Sequence, residues 1–159
     1  MSVLYITPTR ALVNDLTRRL KEPLAQLGLK LGRKTQERHE FDPKKPANIL
    51  ITTPEGFDSL ISRIPETLLN IKVVILDELH LVDNTVRGDQ LRILCERLRL
   101  LTKSKINFYA VSATLENPYL IGKRYFNNLD VIVVHSPRPI EYKLFEIKEH
   151  KEIKYEDKP

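Results

Sequence analysis

Val73-Val74-Ile75-Leu76-Asp77-Glu78-Leu79-His80 decides the fold of this chain, because an apolar run ends abruptly in two carboxylates and an imidazole. From Ile71 to Leu76 the residues are too apolar for a strand with one wet face, which predicts a central strand covered on both sides. In open α/β sheets ligands bind beyond the C-terminal edge of the strands. Asp77, Glu78 and His80 therefore leave the sheet where ligands are held.

Strand and helix patterns alternate around that run. Val3 to Ile6 is a short β-branched and aromatic strand, and Pro8 sits at a helix entry where its missing N–H costs nothing. From Ala11 onward Leu12, Leu16, Leu20, Leu24 and Leu27 recur at helical spacing, predicting an amphipathic helix that ends near Gly28 and bends or breaks at Pro23. Leu29 and Leu31 mark a half-buried strand, residues 36–46 an exposed connection, and Asn48 to Thr52 the next strand. Thr53 and Pro54 open a helix with Phe57, Leu60 and Ile61 on one face. A long helix over about Gly88 to Leu101 turns Leu91, Leu94, Cys95 and Leu98 inward and Arg92, Glu96, Arg97 and Arg99 to solvent. Ile106 to Val111 and Val131 to Val134 complete the strands, with a short helix from Pro118 to Tyr125 between them. Tyr5, Phe108 and Tyr109 fall in strands and read as core. The alternation predicts an α/β fold, a parallel sheet with helices on both faces, over residues 1–140. Past Pro137 and Pro139, Ile140 to Ile147 reads as an edge strand or the start of a linker, and residues 141–159 end in a charged, loosely held tail.

Composition narrows the class. A chain of 159 residues is one globular domain with a single core. Twenty-six basic against 21 acidic residues is compatible with a polyanionic partner without requiring one. One cysteine, Cys95, excludes an internal disulfide framework, and no secretory signal is evident, so a cytoplasmic protein with a buried thiol is expected. No apolar stretch approaches the roughly 20 residues needed to cross a bilayer, and no membrane partner is expected. His39, His80, His135 and His150 lack metal-site spacing, so no metal held by protein ligands alone is assigned.

An aspartate at the end of a hydrophobic strand suits Mg²⁺ held through water, and an adjacent glutamate suits the water that attacks a γ-phosphate. An isolated acidic pair would more often cap a turn, so its neighbours decide. Ser112, Ala113 and Thr114 end the Ile106 to Val111 strand in the same manner, placing two hydroxyls on that edge within reach of His80. Pro8, Thr9 and Arg10 follow the first strand, and Thr53, Pro54 and Glu55 another. Both put hydroxyls and helix N-terminal N–H groups at the edge, which suits nucleic-acid phosphates without reading sequence. Singly, each is an ordinary helix cap.

In this order and at these strand ends, the four segments resemble the first RecA-like domain of superfamily 2 DExH helicases over about residues 3–140. Pro8 to Leu12 is similar to motif Ia, Thr53 to Glu55 to motif Ib, Asp77 to His80 to motif II, and Ser112 to Thr114 to motif III. Arg87-Gly88 and Leu115-Glu116-Asn117-Pro118 resemble in particular the Lhr-like helicases of archaea and bacteria. The resemblance implies a helicase ATP-binding domain, ATP and Mg²⁺ as the parent family's cofactors, and single-stranded DNA or RNA as partner. It implies Asp77 as the Mg²⁺ carboxylate, Glu78 as the water-activating group, and His80 with Ser112, Ala113 and Thr114 as the coupling between nucleotide and nucleic acid. Pro8, Thr9, Arg10, Thr53, Pro54 and Glu55 fall in segments that track one strand's backbone. Where the family often has Thr-Gly, this chain has Lys34, Thr35 and Gln36, and Gln36 does not take positive φ as cheaply as glycine, so a looser contact is expected there.

A P-loop needs Gly, four residues, Gly, Lys and Ser or Thr between a strand and a helix. Gly28 to Thr35 ends in Lys-Thr, but its second glycine is one place early and the segment follows a helix, so it is rejected. In the family the P-loop strand precedes the motif Ia strand, and here only Met1 and Ser2 precede Val3. The reading is therefore a partial RecA-like domain, lacking the P-loop and the second RecA-like domain and unable to hydrolyse ATP alone. Its cofactors belong to the parent and need not be bound by this chain. The alternative is a non-catalytic module for single-stranded nucleic acid; a receiver-type domain would need acidic residues from several strands and carries little weight. Without a P-loop strand, the Ile106 to Val111 strand is left with an open edge. Either Val131 to Val134 moves into the gap, or a second copy or a complementing helicase fragment pairs there.

Overall fold

The computed structural model describes residues 1–35, 39–42, 44–102, 104–113, 115 and 117–134. In chain order these form β1 (Val3–Ile6), α1 (Arg10–Gln26), β2 (Leu31–Lys34), β3 (His39–Glu40), β4 (Ile49–Thr52), α2 (Pro54–Arg63), β5 (Val73–Leu76), α3 (Val86–Leu101), β6 (Asn107–Ala110) and α4 (Pro118–Tyr125). Single 3₁₀ turns occupy Pro65–Leu68 and Leu79–Leu81. The sheet order is β3-β2-β4-β1-β5-β6. Five strands are parallel, as the alternation predicts, and the two-residue β3 pairs antiparallel with β2 at the far edge. Residues 36–46 are thus not wholly a connection.

Register explains the two faces. Leu4 lies level with Leu50 and Val74, and all three point into the larger core with Phe57, Leu60, Leu91, Leu94 and Leu98. Each fully buried side chain of this kind contributes about 1.5–3 kcal/mol relative to exposure. One residue further along, Tyr5 and Ile51 face the opposite way and meet Val13 and Leu16 of α1. Helices therefore cover both faces, α1 on one and α2 with α3 on the other. Cys95 is buried in the larger core, and burial pushes its thiol pKa up to about 12.

α1 runs through Pro23 instead of breaking there. Pro23 is exposed and three residues from the helix end, so the one hydrogen bond it removes leaves the earlier turns intact. Leu27, expected inward, is 73 % exposed at the C-cap. α3 begins at Val86, its N-cap Thr85 accepting a hydrogen bond from Gly88 N at 3.2 Å. Gly88 is required by crowding: a methyl group there would sit 2.3 Å from Val82 O and 2.9 Å from the Tyr125 hydroxyl. The arginines of α3 are not simply solvated. Arg99 lies over the Phe108 ring at 4.2 Å and donates to Tyr125 O at 3.1 Å.

Residues 131–134 form no strand. Their β-branched composition suits a ladder, yet they line a cavity with Leu79, Ala110 and Ser112 instead of pairing with β6, and Ile132 and Val134 are 88 % and 80 % exposed. Among the described residues β6 is consequently the last strand on its side of the sheet. Tyr109, expected in the core, is 55 % exposed, because α1 packs over the opposite half of the sheet. No helix among the described residues is long and apolar enough to cross a membrane. The predicted edge strand or linker and the charged tail fall outside the described residues.

Candidate active site and nucleic-acid interface

All five parallel strands end on one edge, and the sequence-predicted residues gather there. The ladder continues beyond β5: Asp77 N donates to Ile6 O at 2.8 Å, Val111 N to Leu76 O at 2.9 Å, and Leu79 N to Val111 O at 3.3 Å. These bonds hold the tetrad against both neighbouring strands. Glu78 then adopts φ 48° and ψ 46°, the left-handed region, which costs a non-glycine residue free energy and re-aims its side chain away from the strand direction. Asp77 Oδ1 accepts from Glu78 N at 3.0 Å, and Leu79, 2 % exposed, pins the 3₁₀ turn to the core.

His80 closes the cluster. Its Nδ1 lies 2.9 Å from Ser112 Oγ and 3.3 Å from Glu78 Oε2, and its backbone N donates to Ser112 Oγ at 3.3 Å. One hydroxyl at the end of β6 thus receives two contacts from the turn after β5. Ala113 is exposed beside it, and Thr114 lies outside the described residues, as does Gln36. Tyr5 was not expected here. Burial first, and then the nearby Asp77 and Glu78 carboxylates, push its pKa up to about 12.

Two helix N-termini open on the same edge. Thr9 caps α1 by accepting from Leu12 N at 3.3 Å, and Thr53 caps α2 by accepting from Gly56 N at 3.2 Å, with Pro54 buried at the first helical position. Arg87 joins them. Its Nη2 donates to Pro8 O at 2.7 Å and its Nε to Glu55 Oε1 at 2.7 Å. Burial raises the Glu55 pKa, but hydrogen bonds from Arg87, its own backbone and Thr53, with the Arg87 charge, hold it below the usual carboxylate value. Pro8, Thr9, Arg10, Thr53, Glu55 and Arg87 surround a cavity of about 350 Å³. Sequence reasoning noted Arg87 only as part of an Arg-Gly pair; its bridging needs contacts across 79 and 32 residues that no local pattern reveals.

Among the described residues no three His, Cys, Asp or Glu groups converge as a closed metal cage. A single partly exposed strand-end carboxylate, Asp77, fits an ion shared with nucleotide phosphates and water.

The DEAD/DEAH box helicase family model matches residues 1–121. The ATP-dependent helicase Lhr-Core of Saccharolobus solfataricus is 33 % identical over 162 residues, covering 89 % of this chain and 18 % of that protein. The Lhr helicase/uracil glycosylase of Escherichia coli is 33 % identical over 153 residues, covering 85 % and 10 %. Among solved structures, Mycobacterium smegmatis helicase Lhr bound to ssDNA and AMP-PNP matches with a TM-score of 0.67 at 31 % identity, over 77 % of this chain and 18 % of that one. The DUF1998 helicase MrfA bound to DNA matches at 0.66 and 27 %, over 78 % and 19 %. The chain spans less than a fifth of the length of these proteins. With the family model matching residues 1–121 and the Saccharolobus relative 33 % identical over 89 % of the chain, the chain belongs to the DEAD/DEAH box helicase family and carries an Lhr-like RecA-like domain.

Proposed function

We propose that this chain is the part of an ATP-dependent helicase that contributes the motif II half of the ATP site and a track for one nucleic-acid strand. The observation that carries the reading is the contact of His80 with Ser112 at 2.9 Å, on the sheet edge where the Thr9 and Thr53 helix caps also open. Asp77 would hold Mg²⁺ together with ATP phosphates, where the ion would supply neutralisation of the charge on the transferred phosphoryl group. Glu78 orients and deprotonates the attacking water. His80, Ser112, Ala113 and Thr114 couple that site to the nucleic-acid face, and Pro8, Thr9, Arg10, Thr53 and Pro54 meet the backbone of single-stranded DNA or RNA. Glu55, a carboxylate, acts there through Arg87. The Mycobacterium smegmatis relative bound to ssDNA and AMP-PNP supports both ligands.

These 159 residues contain no Gly-x₄-Gly-Lys-Ser/Thr segment, so on their own they give the γ-phosphate no lysine or N–H cradle. Phosphate release from ATP by this polypeptide is expected at background with and without single-stranded DNA; nucleic-acid-stimulated release would refute that part of the reading. Among the described residues the outer edge of β6 carries no partner strand, and a strand from a second copy or from a complementing helicase polypeptide is proposed to pair there. Strand binding is tested by fluorescence anisotropy of a labelled oligonucleotide over a salt series. Arg10→Gln is expected to weaken binding and to reduce the log–log salt slope by about 0.7, the share of one phosphate contact on a single strand. A slope that is flat for the unsubstituted chain would remove the nucleic-acid reading.

A further inference from the structure

α3 buries Leu91, Leu94, Cys95 and Leu98 in the larger core, and on the side turned away from them it carries a second apolar row. Val86, Ile93 and Leu100 are 84 %, 62 % and 87 % exposed. They stand seven residues apart, and seven residues fall only about 20° short of two full turns, so the three side chains form one stripe along a helix roughly 24 Å long. Apolar residues scattered singly are ordinary on a protein surface, whereas a contiguous row marks an interaction face.

The polar residues beside the stripe identify what it pairs with. At about 100° per residue, Asp89 and Glu96 fall on one flank of the stripe and Gln90 and Arg97 on the other. Asp89 is paired within α3 with Arg92, and Glu96 with Arg99, but an ionised carboxylate has about four acceptor positions and keeps some of them. Gln90 and Arg97 lean towards Asp58 of α2 at 3.4 Å and 3.8 Å, both long for a hydrogen bond. One flank therefore offers acceptors and the other donors. When a second copy of α3 lies parallel to the first, related to it by a two-fold axis along the stripe, each helix turns its acceptor flank to the other's donor flank. Glu96 then comes level with Arg97 of the second copy, and Asp89 with its Gln90, each contact occurring twice. An antiparallel pair sets like flank against like, carboxylates on carboxylates and arginine on arginine, so the flanking charges select the parallel arrangement.

We propose that the Val86–Ile93–Leu100 face of α3 is a self-association surface through which two copies of this chain pair with parallel α3 helices, Ile93 on Ile93 and Leu100 on Leu100. Arg87 ties the N-terminal end of α3 to Pro8 and Glu55 at the ligand edge, so the parallel pair presents two ligand edges on the same side. The surface is separate from the outer edge of β6 and does not depend on the function proposed above. One helix from each copy makes a contact at or below the low end of stable interfaces, roughly 1,200 Å² in total, so association in the micromolar range is expected.

Sedimentation velocity of the full chain over a concentration series, without nucleotide or nucleic acid, is expected to show a monomer–dimer equilibrium that I93E abolishes. A chain that stays monomeric throughout overturns the surface, and so does a dimer that persists unchanged in I93E, which would place the contact elsewhere. R97E and E96R each set like charges across the seam and are expected to weaken the dimer about tenfold, while E96R/R97E recovers it; a double variant as weak as the single ones overturns the flank pairing. Orientation is read by oxidative cross-linking with copper phenanthroline in air. L100C is expected to link to itself, because Leu100 meets Leu100 only in the parallel pair, and I93C, at the centre of the stripe, links in either orientation; native Cys95 is buried. I93C that links while L100C does not would mean an antiparallel pair and overturn the proposal. The two cysteine variants carry the test if I93E does not fold.

Discussion

Asp83→Ala is expected to destabilise the chain by about 3 kcal/mol, the lower end of the range for breaking a buried charge pair. The Asp83 side chain is 4 % exposed and receives Arg124 Nη1 at 2.7 Å and the Tyr125 hydroxyl at 3.3 Å, while its own backbone N donates to Leu79 O at 3.0 Å. It therefore anchors α4 to the turn that follows the tetrad. Removing it strands the Tyr125 hydroxyl and takes one of two acceptors from Arg124, which keeps Asn84 Oδ1. Arg124, 32 % exposed, can turn to water, which is why the lower figure applies. Tyr125, 4 % exposed, cannot do so without opening the core, and burial, the largest cause of its raised pKa, persists without Asp83, so it stays neutral and unpartnered. A fall in melting temperature of roughly 6–12 °C follows for a chain of this size. Asp83→Ala with Tyr125→Phe is expected to recover part of the loss, since the orphaned hydroxyl is removed along with its acceptor. Thermal unfolding of the three variants checks this, and equal stability of the single and double variants would show that Tyr125 does not carry the cost.

Glu78→Gln is expected to have the largest functional effect. Glu78 is held in the left-handed region by the bonds that flank it, Asp77 N to Ile6 O and Leu79 N to Val111 O, so its carboxylate is positioned by two neighbouring strands. The backbone strain at such a residue persists only because its surroundings over-determine it. Glutamine preserves the shape and the contact distance to His80 but cannot accept a proton from water. General-base removal of this kind lowers turnover by about 10²–10⁴-fold. The variant must be read in a polypeptide that completes the ATP site, for which residues 1–121 are exchanged for the matching stretch of the Saccharolobus Lhr-Core helicase. Because Asp77 is untouched, nucleotide affinity is expected to change far less than turnover.

Much of this architecture is legible in the amino-acid order because it is local. An apolar run that ends in Asp77 specifies a covered strand and its ligand edge, and Thr53-Pro54 announces a capped helix in two residues. His80 meets Ser112 because both follow neighbouring parallel strands in register, Leu76 level with Ala110. What escapes the sequence is set by tertiary placement. Arg87 reaches Pro8 across 79 residues, and Tyr5 reads as core because its aromatic body is half-buried against α1 while the Asp77 charge still acts on its hydroxyl. The same reasoning explains the run Val131 to Val134. β-branched residues form a strand only where a ladder partner is in register, and these residues instead cross the cavity beside Leu79 and Ser112. Lys34 is the reverse case: its Lys-Thr dipeptide fails as a P-loop on context, yet the end of β2 buries it, which no spacing rule registers.

The Asp77–His80 cluster is proposed as the catalytic half of a nucleic-acid-driven ATP site. Steady-state ATP hydrolysis by the Lhr-Core chimera, with and without single-stranded DNA, tests it most directly. Turnover stimulated by DNA in the parent chimera, and lost by about 10²–10⁴-fold in Glu78→Gln, is the predicted result; equal stimulated turnover in the two proteins would contradict it.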